Sequence, residues 1–289
     1  MSHVLGVIGG SGVYEVRGLD GVREERVETP FGSPSDAVIR GRLGDTELLF
    51  LPRHGRGHVL PPHGVNYRAN VAAMKLLGAT HLVSLSAVGS MKESIEPGHV
   101  VVVDQYLDFT KRRASTFFED GIVAHVSFSD PVCPLLARAA ARAARRAGAT
   151  VHEGGAYVCI EGPQFSTRAE SLFYRTLGVS VIGMTAMPEA KLAREAELPY
   201  ATIAFSTDYD CWHEAEEPVT VEAVLAVLAK NGNLAKAIVL ELAKDLPDPA
   251  ASPASRALEN AVITARTHLS KDAQARLSFL LERKPRGTP

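Results

Sequence analysis

The chain has 289 residues, 46% of them hydrophobic and 22% charged, which suits one large α/β domain or two small ones and a core that needs no staples. A net charge of -2, from 31 Lys and Arg against 33 Asp and Glu, lends no support to nucleic-acid binding, and the three scattered cysteines (Cys133, Cys159, Cys211) fit neither a disulfide framework nor a zinc knuckle. "MSHVLGVIGGSG" lacks a basic leader and no apolar run reaches the roughly 18 residues of a membrane span, so the expectation is a soluble cytoplasmic protein.

In chain order, short apolar runs predict strands over Val4–Ile8, Glu47–Leu51, His81–Leu85, His99–Val103, Ala156–Ile160, Val179–Met184 and Tyr200–Phe205. Helix-period segments fall between them at Asn66–Leu77, Pro134–Ala147, Thr167–Leu177 and Pro188–Glu197. This alternation predicts an α/β fold: a central mixed or mostly parallel β-sheet flanked by helices on both faces. The arginines of "RAAARAARRAG" read as the solvated face of a helix that ends at Gly148. A long helical pattern follows Thr220, with Asn231-Gly232-Asn233 weakening its middle. The Pro/Ser/Ala-rich stretch 245–255 reads as a connector, which divides the chain into an α/β domain over 1–245 and a C-terminal helical segment over 246–289 packing on it.

Polar residues cluster where these strands end. "VIGGSGVY" runs from a strand into glycines and Ser11, a pattern that reads as an anion site or as a plain tight turn; the spacing of its glycines is not the dinucleotide fingerprint. In "LPRHGRGHVLPPHG", His54 and His58 have the spacing of a helical zinc pair, but Gly55, Gly57 and Pro61-Pro62 oppose a helix and no acidic partner lies nearby. An Arg53-His54 pair straight after a strand better suits a phosphate or another oxyanion, and no metal site is expected. "LSAVGS" ends a strand at Ser86 and Ala87, either as part of the same cradle or as a packed corner. In "EGPQFSTRAES", Thr167 and Glu170 form a capping box, and Phe165 serves as core or as a platform for a flat ring. Met184 and Thr185 end another strand before Pro188. The run "ATIAFSTDYDCW" then places Asp208 and Asp210 one residue apart; if the strand geometry persists, both carboxylates share one side, and their repulsion raises one pKa. Ligands of open α/β sheets bind outside the carboxyl ends of strands, where anion donors, an aromatic platform and paired carboxylates suit an oxyanion attacking a carbon bonded to a nitrogenous ring.

"GVIGGSG", "TPFGSPSD", "RHGRGH", "VNYRAN", "DQYLDFTKRRASTFF", "IEGPQFSTRAES", "GMTAMPEA" and "STDYDCW" together resemble the 5'-methylthioadenosine phosphorylases of the trimeric purine nucleoside phosphorylase superfamily, over roughly residues 4 to 245. The resemblance implies a purine nucleoside phosphorylase-like fold and reversible phosphorolysis of methylthioadenosine, with no metal or organic cofactor and with inorganic phosphate as co-substrate. It implies that Ser11, Arg53, His54, Ser86, the Ala87 backbone and Thr185 hold phosphate. Met184 would meet the ribose, Phe165 and Ser166 the purine, and Asp208 and Asp210 the base, one carboxyl protonated toward N7. Val221, Val224 and His125 of a neighbouring subunit would line the methylthio pocket in a homo-oligomer, most simply a trimer, and Leu280 is suggested as part of a lid. A phosphorylase of 6-oxopurine nucleosides would favour asparagine in place of Asp208; a non-catalytic purine-binding protein would have no use for a second oxyanion site. On this reading Arg53→Ala weakens phosphate far more than nucleoside.

Overall fold

The computed structural model describes residues 3–10, 18–213, 221–268 and 270–282, with the backbone alone for 221–231 and 266. β1 (Val4–Gly9) is six buried residues whose side chains alternate between two cores: Val4 and Ile8 on one face, Leu5 and Val7 on the other. β2 (Asp20–Glu25), β3 (Val38–Leu43) and β4 (Thr46–Pro52) follow, and then α1 (Tyr67–Leu76), whose N-terminus is capped by the Asn66 side chain. β5 (His81–Ser90), β6 (Val100–Val102) and β7 (Gln105–Phe109) lead to α2 (Pro134–Arg146), β8 (Val151–Glu153) and β9 (Ala156–Ile160). The chain continues through α3 (Arg168–Thr176), β10 (Val181–Gly183), α4 (Glu189–Glu195), β11 (Tyr200–Asp208) and α5 (Val221–Ala243), and the described part closes on α6 (Lys271–Arg276) and α7 (Ser278–Leu281).

The eleven strands form one mixed sheet, in the order β2-β3-β4-β1-β5-β10-β9-β7, with β11 on β5 and continuing through β6 to β8. α1, α4 and the C-terminal residues Leu277 and Leu280 fill the core on one face, whereas Leu136 of α2 and Ile238 and Leu242 of α5 fill the core on the other. The sheet between two helical layers is the α/β architecture that the alternation predicts. Thr167 caps α3, and its capping box with Glu170 is complete. In α2 the alanines face inward and Arg142, Arg145 and Arg146 pair with Asp245, Glu153 and Glu241 at the surface.

Sequence and structure differ in five places. β5 runs on to Ser90, so Ser86 and Ala87, expected where a strand ends at Leu85, lie inside it. β2, β3, β7 and β8 are absent from the predicted strands; β2 is the polar edge segment "DGVREE", exposed nearly throughout, so it carries no apolar alternation to read. β10 keeps only three of the six residues expected at Val179–Met184. α5 runs unbroken through Asn231-Gly232-Asn233, because burial of Ala235, Ile238, Val239 and Leu242 outweighs one glycine's propensity cost of about 1 kcal/mol. Finally, strand geometry does not persist across the two aspartates. The pairing of β11 with β5 slips at Thr207, the strand stops at Asp208, and Asp210 sits at φ 53° at the start of a short 3-10 turn.

Candidate active site

The split of one sheet edge creates the site. On one side of β5, β11 pairs from Leu82 to Gly89. On the other side β1 covers only Leu82, Val83 and Ser84 of this stretch, and β10 takes over at Gly89 and Ser90. Between them, Leu85 to Val88 have no strand partner on that edge among the described residues. Strand peptide groups alternate in direction, so Ala87 presents its N–H on the same edge as the Leu85 carbonyl, which faces Arg53. A cavity of about 240 Å³ opens there, lined by this stretch of β5, by Arg53 and His54 after β4, by Phe165 to Ser166, by Met184 and Thr185 after β10, and by Asp208 and Asp210.

Arg53 is 1% exposed at the divergence of β1 and β5. Its Nε donates to Glu189 Oε2 at 3.0 Å, Nη2 donates to Glu189 Oε1, Ile8 O and Ser84 Oγ, and Nη1 donates to Leu85 O at 3.1 Å. Four of the five guanidinium hydrogens are thereby committed within the protein, and one on Nη1 has no partner among the described residues. Burial opposes the charge on Arg53, but the Glu189 carboxylate more than offsets it and raises the pKa. Beside it, His54 Nδ1 lies 2.8 Å from Leu60 O and its ring stacks on His58. Burial, then the Arg53 charge, pushes the His54 pKa down to about 4, so the ring is neutral. A carbonyl only accepts, which fixes the proton on Nδ1 and leaves Nε2 as an acceptor. Ser86 Oγ stands 3.0 Å from Thr185 Oγ1 and 3.1 Å from Tyr157 Oη, a cluster of three buried hydroxyls. Gly183 makes the cluster possible, since a Cβ there would lie 2.0 Å from Tyr157 Oη.

At the opposite end, the Thr207 bulge turns the Asp208 carboxylate toward the cavity, with Oδ2 accepting from Thr207 Oγ1 at 2.6 Å. Asp208 Oδ1 accepts from the Asp210 N–H at 2.8 Å, so the two residues are joined by a hydrogen bond and not by two facing carboxylates. Asp210 Oδ2 takes the Ser171 hydroxyl at 2.5 Å, and its pKa is raised by burial, against the lowering effect of that bond. Desolvation thus does what the sequence reading assigned to repulsion within the pair. Gly89 leaves the room: a Cβ there would stand 3.0 Å from Asp208 Oδ1 and 3.3 Å from Asp210 Cβ. Phe165 is half exposed at the rim, and the Ser166 hydroxyl is buried with no hydrogen-bond partner among the described residues. The Met184 carbonyl is taken by Arg113, whose guanidinium also bonds the carbonyls of Ile160, Glu161 and Met187 and so ties the ends of β9 and β10 together.

Of the residues expected at the site, Arg53, His54, Ser86, Ala87, Phe165, Ser166, Met184, Thr185, Asp208 and Asp210 border this one cavity. Ser11 lies outside the described residues, as do the side chains of Val221 and Val224, although Gly232 and Ala235 bring α5 to the cavity wall. His125 is exposed and lines a second cavity with Arg194 and Arg256. Leu280 is buried in the main core with Leu277 and Phe117 and is not among the residues that line the site cavity. Sequence reasoning missed Glu189, Tyr157, Ser171, Thr207 and Arg113; of their signals, Gly183 and Gly89 at strand ends mark close approaches, and Glu189 is the acidic residue of "GMTAMPEA". Among the described residues, no cluster of His, Cys, Asp and Glu could hold a metal ion, and no helix is long and apolar enough to cross a membrane.

The family model of the phosphorylase superfamily matches residues 4–244. The S-methyl-5'-thioadenosine phosphorylase of Geobacter sulfurreducens is 53% identical over 282 residues, covering 97% of this chain and 99% of that protein. That of Cereibacter sphaeroides is 50% identical over 99% of this chain and 100% of its own length. Among solved structures, a methylthioadenosine phosphorylase from an antarctic soil metagenomic library superposes with a TM-score of 0.91 at 45% identity, covering 97% of this chain and 100% of that one. The methylthioadenosine phosphorylase of Schistosoma mansoni, in complex with adenine, superposes with a TM-score of 0.82 at 35% identity, over 98% and 99% of the two chains. The polar cavity at the divided sheet edge and this full-length likeness point the same way, and the chain belongs to the phosphorylase superfamily.

Proposed function

We propose that this phosphorylase catalyses the reversible phosphorolysis of S-methyl-5'-thioadenosine to adenine and 5-methylthioribose 1-phosphate, as a phosphate-dependent pentosyltransferase. The observation that carries the reading is the polarity of one cavity: cationic and hydroxyl groups at one end, two carboxylates at the other. Phosphate sits among Arg53, His54, Ser86, Thr185 and the Ala87 N–H, with Ser11 closing the cradle. His54 Nε2, an acceptor, takes the hydrogen of a protonated phosphate oxygen. The purine lies against Phe165 and Ser166, and the Met184 peptide, its carbonyl already bonded to Arg113, offers the ribose its N–H.

Cleaving the ribose–purine bond develops positive charge on the sugar and negative charge on the base. Phosphate beneath the sugar is both nucleophile and counter-charge, so its residues act by position and electrostatics. Adenine leaves better when N7 receives a proton. Burial favours the protonated Asp210 carboxyl. Asp208 and Asp210 divide the N6 and N7 contacts between them.

No metal or organic cofactor takes part, and inorganic phosphate is the co-substrate. A trimer, with His125 of each subunit completing the methylthio pocket of the next, gives each site an equivalent wall. A cytoplasmic setting suits the free cysteines. Adenine release from methylthioadenosine and from adenosine, with and without phosphate, tests the reading: phosphate-dependent release is expected, and release without phosphate, or none at all, overturns it. Sedimentation tests the trimer, which a fully active monomer would exclude.

A further inference from the structure

Glu189 is 0% exposed on the first turn of α4, and its carboxylate is bonded on both oxygens to Arg53. Oε1 also accepts the Tyr200 hydroxyl at 3.0 Å, and Tyr200 in turn accepts from Thr202 Oγ1 at 3.2 Å, which meets Tyr106 Oη at 2.7 Å. The guanidinium that borders the anion end therefore arrives already neutralised, by a carboxylate whose own charge is shared out to a buried tyrosine. An anion entering the cavity meets one Nη1 hydrogen that has no partner among the described residues and a compensated charge, not an open fork.

We propose that Glu189 is the resident counter-ion of Arg53 and sets the phosphate affinity of the site by competing with phosphate for the guanidinium charge, with Tyr200 moderating that competition. The proposal rests on the reading of this end as the phosphate subsite. It makes Glu189 a positioning residue that never touches substrate, and it gives two substitutions opposite signs. In Glu189→Gln the shape of the side chain persists while the negative charge goes. Arg53 then keeps a net positive charge in a buried setting, and phosphate becomes its natural partner. In Tyr200→Phe, Glu189 loses its second donor, holds its charge more fully on Arg53, and phosphate binds less well.

Steady-state kinetics with inorganic phosphate as the varied substrate, together with thermal unfolding with and without phosphate, test this. Glu189→Gln is expected to lower the phosphate KM about tenfold, the scale of one charge-assisted hydrogen bond, and to gain more Tm from added phosphate than the parent does. Tyr200→Phe is expected to raise the phosphate KM about fivefold. The nucleoside KM should move less than about twofold in both, since neither residue lines the purine end. A merely structural role would raise the phosphate KM in both variants and lower Tm with no extra rescue by phosphate; that result, or an unchanged phosphate KM, overturns the proposal. If Glu189→Gln fails to fold, Tyr200→Phe decides alone: a rise in phosphate KM with the Tm held at the parent's value supports the competition, and a rise accompanied by a lowered Tm, a fall, or no change ends it. If the parent enzyme itself shows neither phosphate dependence nor stabilisation by phosphate, it is the phosphorylase reading that fails.

Discussion

Arg53 and Ser166 border the same cavity, yet Arg53 has four of five N–H groups bonded within the protein while the buried Ser166 hydroxyl has no partner among the described residues. The contrast extends to their neighbours. At the Arg53 end Glu189 and Ser84 accept from Arg53, and Ser86 bonds both Thr185 and Tyr157, so these groups are held in place by the protein itself. At the base end the aromatic wall is half exposed, and Asp208 and Asp210 follow a bulge and a left-handed backbone turn. On the proposed reading the Arg53 end, the anion end, is preorganised for a charge that develops during reaction, which is where fixed dipoles act most strongly. On the same reading the end that holds Phe165, Ser166, Asp208 and Asp210 is the base end, whose hydrogen-bonding groups discriminate between ligands.

The sharpest test of the recognition end is Asp208→Asn. Asp208 Oδ1 and Oδ2 accept from Asp210 N and Thr207 Oγ1, and on the proposed reading this acceptor-only carboxylate suits the hydrogens that adenine presents at N6 and, as it departs, at N7. Asparagine keeps its oxygen on the Asp210 N–H and turns its amide toward a 6-oxo group. Discrimination built on such hydrogen bonds reaches about 10⁴–10⁵, so the ratio of kcat/KM for methylthioadenosine over methylthioinosine should fall by orders of magnitude. An unchanged ratio would move the discriminating role to Asp210.

Arg53→Ala probes the preorganised end and should break more than phosphate binding. It strands the Glu189 carboxylate at zero exposure, and removing one partner of a buried pair costs about 3–5 kcal/mol. Denaturant unfolding should show that loss beside the raised phosphate KM. A variant as stable as the parent would mean that Glu189 finds another partner or becomes protonated.

The two ends were unequally legible in the sequence, for a physical reason. The capping box of Thr167 and Glu170 and the strand Ala156–Ile160 are local, and both were read to the residue. The positions of Arg53, His54 and Thr185 just past strand ends follow from apolar runs that stop at polar residues, whereas Ser86, expected at such an end, sits inside β5. What no local pattern carries is pairing across the fold: Glu189 lies 136 residues from Arg53, and Tyr157 reads as one more apolar strand residue until Ser86 and Thr185 are seen around its hydroxyl. The Asp208/Asp210 geometry was misread because a bulge is set by the partner strand β5, not by the bulged strand itself.

The cost of the preorganised end also shows in pH. The His54 pKa lies at about 4 in the folded protein, below the ordinary value near 6.5, and the same holds for His81, which is buried far from the site against Pro247 O. Above pH 6.5 both rings are neutral in either state. From 6.5 down to 4 the unfolded chain takes up protons that the folded rings refuse, so stability is lost across that window, by up to about 3 kcal/mol per histidine. His54→Gln should remove about half of the acid loss contributed by these two rings, read as the unfolding free energy at pH 6.5 minus that at pH 4. A variant that keeps the full slope would show that the His54 ring is protonated in the fold.

The smallest effect belongs to Ser171→Ala, which alters the base end without touching its shape. The Ser171 hydroxyl donates to Asp210 Oδ2 and favours the ionised carboxylate, against the burial that favours the protonated form. Deleting the donor leaves burial unopposed, and the Asp210 pKa rises further. If a protonated Asp210 assists the departing adenine, the basic limb of the kcat/KM profile moves to higher pH, while activity at neutral pH changes by less than about tenfold, the scale of one hydrogen bond. The phosphate KM should not move, because the anion end shares no hydrogen bond with Ser171. A basic limb that stays in place would take Asp210 out of the proton's path and leave Asp208, bonded to Thr207 and to the Asp210 N–H, as the group that meets N7.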